Sequence, residues 1–134
     1  MHIGGTAMSE LFCLELSVLL WLAHVLAQAL YARSEFGDDY LFSARDESRS
    51  PKDVAVGRAT RALHNYVENY APFIAADLAL IATGHSGGWG ATIWILARIA
   101  YLPVYLMGIA KVRTGIWAVS VLGLLMMLGR LMGA

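Results

Sequence analysis

WGATIWILARIAYLPVYLMGIA, residues 89–110, carries a single charge, Arg98, in a run long enough to cross a bilayer. A helix needs roughly 20 apolar residues to span the hydrocarbon core. Three further runs frame this one. Leu11–Tyr31 is apolar apart from Glu15, Ser17, His24 and Gln28, and Gly115–Gly129 holds no charge at all, its apolar character continuing past Arg130. A weaker run starts near Arg61 and ends at Thr83. Together they predict an all-α integral membrane protein: a bundle of four transmembrane helices at about 10–32, 59–83, 89–111 and 115–132, in a single domain over residues 1–134.

Composition agrees. Of 134 residues, 58% are hydrophobic and only 15% charged, where a soluble domain carries about a quarter; mean hydropathy is +0.58. The formal net charge is zero, so no basic or acidic excess suggests nucleic acid as a partner. The one cysteine, Cys13, lies in an apolar run, cannot form an internal disulfide and reads as a small buried hydrophobe. The N-terminus lacks a basic segment and its apolar run exceeds that of a secretory signal.

Loop charges predict the topology. Arg33, Arg45, Arg49, Lys52 and Arg58 fall between the first and second runs, Lys111 and Arg113 between the third and fourth, whereas TGHSGGWG (83–90) has neither Lys nor Arg. Positive loops stay cytosolic, so the expectation is a multi-pass protein with loop 34–57 in the cytosol and both termini away from it. TGHSGGWG reads as a tight glycine-rich hairpin. Its GHSGG core superficially resembles a nucleophile elbow, but no strand precedes it and no partner acid is in view. The four histidines, His2, His24, His64 and His85, have no metal-ligand spacing, and no metal site is expected.

The polar residues inside the apolar runs are the functional candidates, because a charge in hydrocarbon is costly unless paired or wet. In RALHNYVENYAPF (61–73), Arg61, Asn65, Glu68 and Pro72 are spaced i, i+4, i+7 and i+11, one narrow stripe of a helix. In the third run Arg98, Tyr101 and Tyr105 form a second stripe. The helix registers predict a Glu68–Arg98 ion pair. Such a pair would either fasten two helices or, with Arg61, Asn65, Tyr101 and Tyr105 around it, bind a polar anionic ligand entering from the cytosol. Asp77, about 160° from Arg61 around the helix, is expected at a subunit interface. Alanines along the second helix mark close-packing faces and make a homo-oligomer plausible.

These residues resemble a family. RALHNYVENYAPF is similar to the RAxxNxxE signature, with a proline close behind, of the MAPEG superfamily, the membrane-associated proteins in eicosanoid and glutathione metabolism. ARIAYLPVY, followed by KVRTGIW, resembles that family's second conserved region, and the likeness covers nearly the whole chain. It implies a left-handed four-helix bundle assembled as a homotrimer, binding glutathione between subunits near the cytosolic face. It further implies that Arg61, Asn65 and Glu68 hold the peptide's carboxylates and amine, that Arg98 pairs with Glu68, that Tyr105 lines the pocket, and that Arg33 assists. Arg113 takes the place of the arginine that stabilises the glutathione thiolate, making it the catalytic candidate.

The chemistry is coherent on its own terms. Glutathione has two carboxylates and one ammonium, which arginines plus a glutamate complement. A thiol becomes nucleophilic on deprotonation, and a nearby guanidinium favours the anion. His64, Asn69 and Trp117 depart from residues common among eukaryotic members, so the chain looks like the divergent bacterial branch. The expectation is therefore a general glutathione-dependent transferase or peroxidase in the bacterial inner membrane, acting on a hydrophobic small-molecule substrate among lipids, rather than eicosanoid synthesis. The alternative is a non-catalytic lipid- or glutathione-binding scaffold that keeps the fold. Arg113 separates them, since a binder needs no cation at the sulfur.

Overall fold

A computed structural model describes residues 7–133, so His2 lies outside the described residues. Four helices carry the chain: α1 (Glu10–Leu41), α2 (Val54–Thr83), α3 (Gly90–Met107) and α4 (Ala110–Met132). Ser9 caps α1, its hydroxyl accepting from the Phe12 N–H at 3.1 Å, and Asp53 caps α2 by accepting from the Ala55 N–H at 2.8 Å.

The helices take over much of what was expected to be loop. α1 does not stop at 32 but runs to Leu41, broken only at Gly37, whose φ of 80° and ψ of 161° are outside helical geometry. A side chain rarely adopts that backbone, and glycine turns it at little steric cost. α2 begins at Val54 rather than 59 because Asp53 supplies the cap. The short segment between them is tied down. The Glu35 carboxylate accepts from the N–H groups of Lys52 and Asp53 at 2.7 and 3.1 Å. The Tyr40 hydroxyl donates to the Glu47 carbonyl at 2.9 Å and accepts from the Arg49 N–H at 3.1 Å, while the Arg49 guanidinium covers the Tyr40 ring at 4.3 Å.

At the other connection near this cap the expected loop is also absent. α3 ends at Met107, and α4 starts at Ala110 instead of 115. Gly108 reverses the chain with φ 75°, its N–H and that of Ile109 returning to the carbonyls of Tyr105 and Val104 at 3.0 and 3.3 Å. Lys111 and Arg113 consequently sit in the opening turn of α4, on a rigid element.

α1, α3 and α4 are long and apolar enough to cross a membrane. α2 is long enough, at 30 residues, but Arg58, Arg61, His64, Asn65 and Glu68 crowd its first half, with Asn69 next in line. Aromatic rings build the core. Phe73 and Trp94 stack at 3.9 Å, with Tyr66 and Tyr70 tilted 4.9 Å apart beside them. α3 and α4 touch through Gly90 and Gly123: a Cβ on Gly90 would meet the Gly123 carbonyl oxygen at 2.7 Å, and one on Gly123 the Gly90 oxygen at 2.6 Å. A smaller cluster of Ala62, Tyr101 and Tyr105 lies towards the cap.

Candidate functional site

The candidate site is built on the Tyr101–Tyr105 pair. One turn apart on α3, these rings meet edge to face at 5.5 Å, and three arginines from three helices gather on them. Arg61 of α2 donates its Nε–H to the Tyr105 hydroxyl at 3.3 Å. Arg113 of α4 places its guanidinium 4.8 Å from the centre of the Tyr105 ring. Arg98, on α3 itself, covers the Tyr101 ring at 4.2 Å. Arg61 is exposed, Arg113 half-buried and Arg98 fully buried. Two phenol rings thus hold three cations near one another, an arrangement that aromatic faces stabilise and that favours an anion.

Among the described residues no acid pairs with them. Among the described residues the ion pairs are Arg33–Asp38 at 2.9 Å and Arg49–Glu47 at 3.3 Å, both on the surface. The expected Glu68–Arg98 pair is not formed within the chain. Arg98 lies 5.3 Å from the Tyr66 ring, and Glu68, two residues further along α2, points about 160° away from Tyr66. Glu68 is exposed and borders a groove of ≈ 400 Å³ between α1 and α2, lined by Trp21, Val25, Leu63, His64, Val67 and Glu68. The stripe Arg61–Asn65–Glu68 therefore stands on the outer flank of α2, a ridge between this groove and the arginine cluster. Arg33 is also apart, occupied by Asp38.

Asp77 departs from expectation as well. It is completely buried inside the bundle, and neither carboxylate oxygen has a hydrogen-bond partner among the described residues. Its place is interior because it shares a face with Tyr66, Ala59 and Leu80, all of which point inward.

Three site residues escaped the sequence reading. Arg58 donates from Nη1 to the Leu106 carbonyl at 3.2 Å, satisfying an orphan group at the end of α3; its position one turn before Arg61 was the available signal. Asn69 and Trp117 are the other two. The indole N–H of Trp117 donates to the Asn69 side-chain oxygen at 3.3 Å, and the Asn69 amide donates to the Asn65 carbonyl at 2.8 Å. Two of the three departures from the family pattern are thus partners, tying α4 to α2 beside the arginines.

A family model, the MAPEG family, matches residues 11–133. The chain belongs to the MAPEG family. No curated relative and no solved structure matches it. With three helices fit to span a bilayer, membership makes the chain an integral membrane protein, and it suggests a glutathione-related function.

The residues present fit glutathione. Arg61 and Arg113 have no carboxylate partner among the described residues and are reachable from outside the bundle, which suits an anionic ligand. Glu68, exposed and likewise without a cation among the described residues, suits an ammonium.

Proposed function

We propose that this chain is a glutathione-dependent membrane enzyme, of transferase or peroxidase type, that activates the thiolate against lipophilic electrophiles. The observation that carries this reading is the meeting of Arg61 and Arg113, from α2 and α4, on one tyrosine with no acid beside them among the described residues. Bound glutathione supplies the sulfur nucleophile. The protein's own part is electrostatic and positional. Arg61 and Asn65 hold carboxylate, and Glu68 receives the ammonium. Tyr105 fixes Arg61 through its hydroxyl and supports Arg113 through its ring, with Tyr101 and Arg98 behind. Arg113 stabilises negative charge at the sulfur, so the thiol proton leaves to water at neutral pH. Arg33 contributes only if its pairing with Asp38 opens.

The same reading assigns the chain to a homotrimer in the bacterial inner membrane, with the cap and the α3–α4 turn in the cytosol and both termini opposite. An exposed Glu68 on a membrane helix is costly against hydrocarbon, and a second copy on that flank would cover it while completing the site.

Thiolate absorbance on mixing purified protein with glutathione tests the chemistry. A signal that saturates and disappears in Arg113→Ala is expected. Saturable glutathione binding without a thiolate signal would identify a non-catalytic binder. The mass of the detergent-solubilised complex tests the trimer.

A further inference from the structure

We propose that Arg98 holds a small inorganic anion of the halide class inside each four-helix bundle. This goes beyond the glutathione reading and does not depend on it. Arg98 has no exposed surface, and its Nε, Nη1 and Nη2 all lack a hydrogen-bond partner among the described residues. His24 is equally buried. Its Nδ1 lies 2.8 Å from the Leu20 carbonyl, which can only accept, so Nδ1 carries a proton, and Nε2 has no partner among the described residues. Tyr66 joins the two residues, stacked on the His24 ring at 4.5 Å and 5.3 Å from the Arg98 guanidinium.

The rings of Tyr101, Tyr66 and Trp94, at 4.2, 5.3 and 5.9 Å, offset part of the cost of burying the cation. They do not supply acceptors for its five N–H groups. No described carboxylate does so either. Glu68 points to the outside, and Asp77 lies eleven residues along α2 from Tyr66, ~16 Å by helical rise. A lipid headgroup or a second copy of the chain cannot reach a group with no exposed surface. An uncompensated buried guanidinium is strongly destabilising. A monovalent anion matches the single excess charge and accepts from the guanidinium edge.

The full-length protein, purified without glutathione, is crystallised with sodium bromide, and its anomalous signal is recorded at the bromine edge. A peak at hydrogen-bond distance from the Arg98 guanidinium is expected. Peaks only at Arg61 or Arg113, or ordinary water at Arg98, would overturn the proposal. In parallel, Tm is compared in chloride, bromide and gluconate at equal ionic strength. The halides should raise it by about 3–6 °C, a rise lost in Arg98→Met and kept in His24→Phe, which preserves the stack on Tyr66. Equal Tm in all three salts, or a rise that survives Arg98→Met, would refute it. If either variant does not fold, the crystallographic result on the unaltered protein decides.

Discussion

Tyr105 does two separable jobs. Its hydroxyl accepts from Arg61 and its ring lies under Arg113, so a variant that keeps the ring and drops the oxygen should divide binding from activation. Tyr105→Phe is expected to weaken glutathione binding about 3–10-fold, within the range of one ordinary net hydrogen bond. It should leave the thiolate signal at saturation intact. Arg113→Ala should do the reverse, cutting the thiolate signal at saturating glutathione at least ~10-fold while affinity changes less. Calorimetry and thiolate absorbance on the same samples read both quantities; parallel losses in the two variants would show that the roles do not separate. At this scale the sequence was informative about which residues lie together. It placed Arg61, Tyr101, Tyr105 and Arg113 in one region from spacing and resemblance. It misjudged partners, because a helical wheel gives the direction of a side chain from its own axis but not which neighbour fills the space opposite. Arg98 went to Tyr66 and Tyr101 rather than to Glu68 for that reason.

Between elements, the tightest constraint is where α3 and α4 cross at Gly90 and Gly123. A methyl group there would have to push into backbone oxygen at 2.6–2.7 Å, and backbone cannot swing aside as a side chain can. Gly123→Ala should therefore destabilise the protein by about 1–3 kcal/mol through overpacking, read as a lower Tm in detergent. Gly115 on the same helix, where a Cβ would meet nothing within 4 Å, is the matched control. Gly115→Ala should be neutral or stabilise by about 0.5–1 kcal/mol, because alanine is the better helix former. The four helices were legible from apolar runs, but their ends were not. Gly37 and Gly108 each bend the chain at positive φ, which let helices extend through charged or mixed sequence that hydropathy alone assigns to loop. Asp53, a single capping residue, likewise advanced α2 beyond what its apolar run suggested. The Asn69–Trp117 link was invisible because each residue, taken alone, is only a departure from a pattern.

Across the whole molecule, the question is which end faces which compartment, and Cys13 makes the experiment simple. It is fully buried, so an impermeant maleimide should leave the native parent chain unlabelled. Ser48→Cys places a thiol in the exposed cap and Ser86→Cys one in the exposed hairpin at the opposite end. In intact spheroplasts, Ser86→Cys is expected to label at once and Ser48→Cys only after permeabilisation; the opposite order would invert the topology. The global plan also has a strict dependence on chain length at one point. Only Gly108 and Ile109 separate α3 from α4, so Tyr105 and Arg113 behave as two teeth of gears on one short shaft. Inserting a single residue between them would turn Arg113 ~100° around α4 and carry it away from the ring it rests on, with no helix lost and no residue changed. The length of this turn thus sets the aim of Arg113, whereas the exposed cap at 42–53 can take an added residue without moving it.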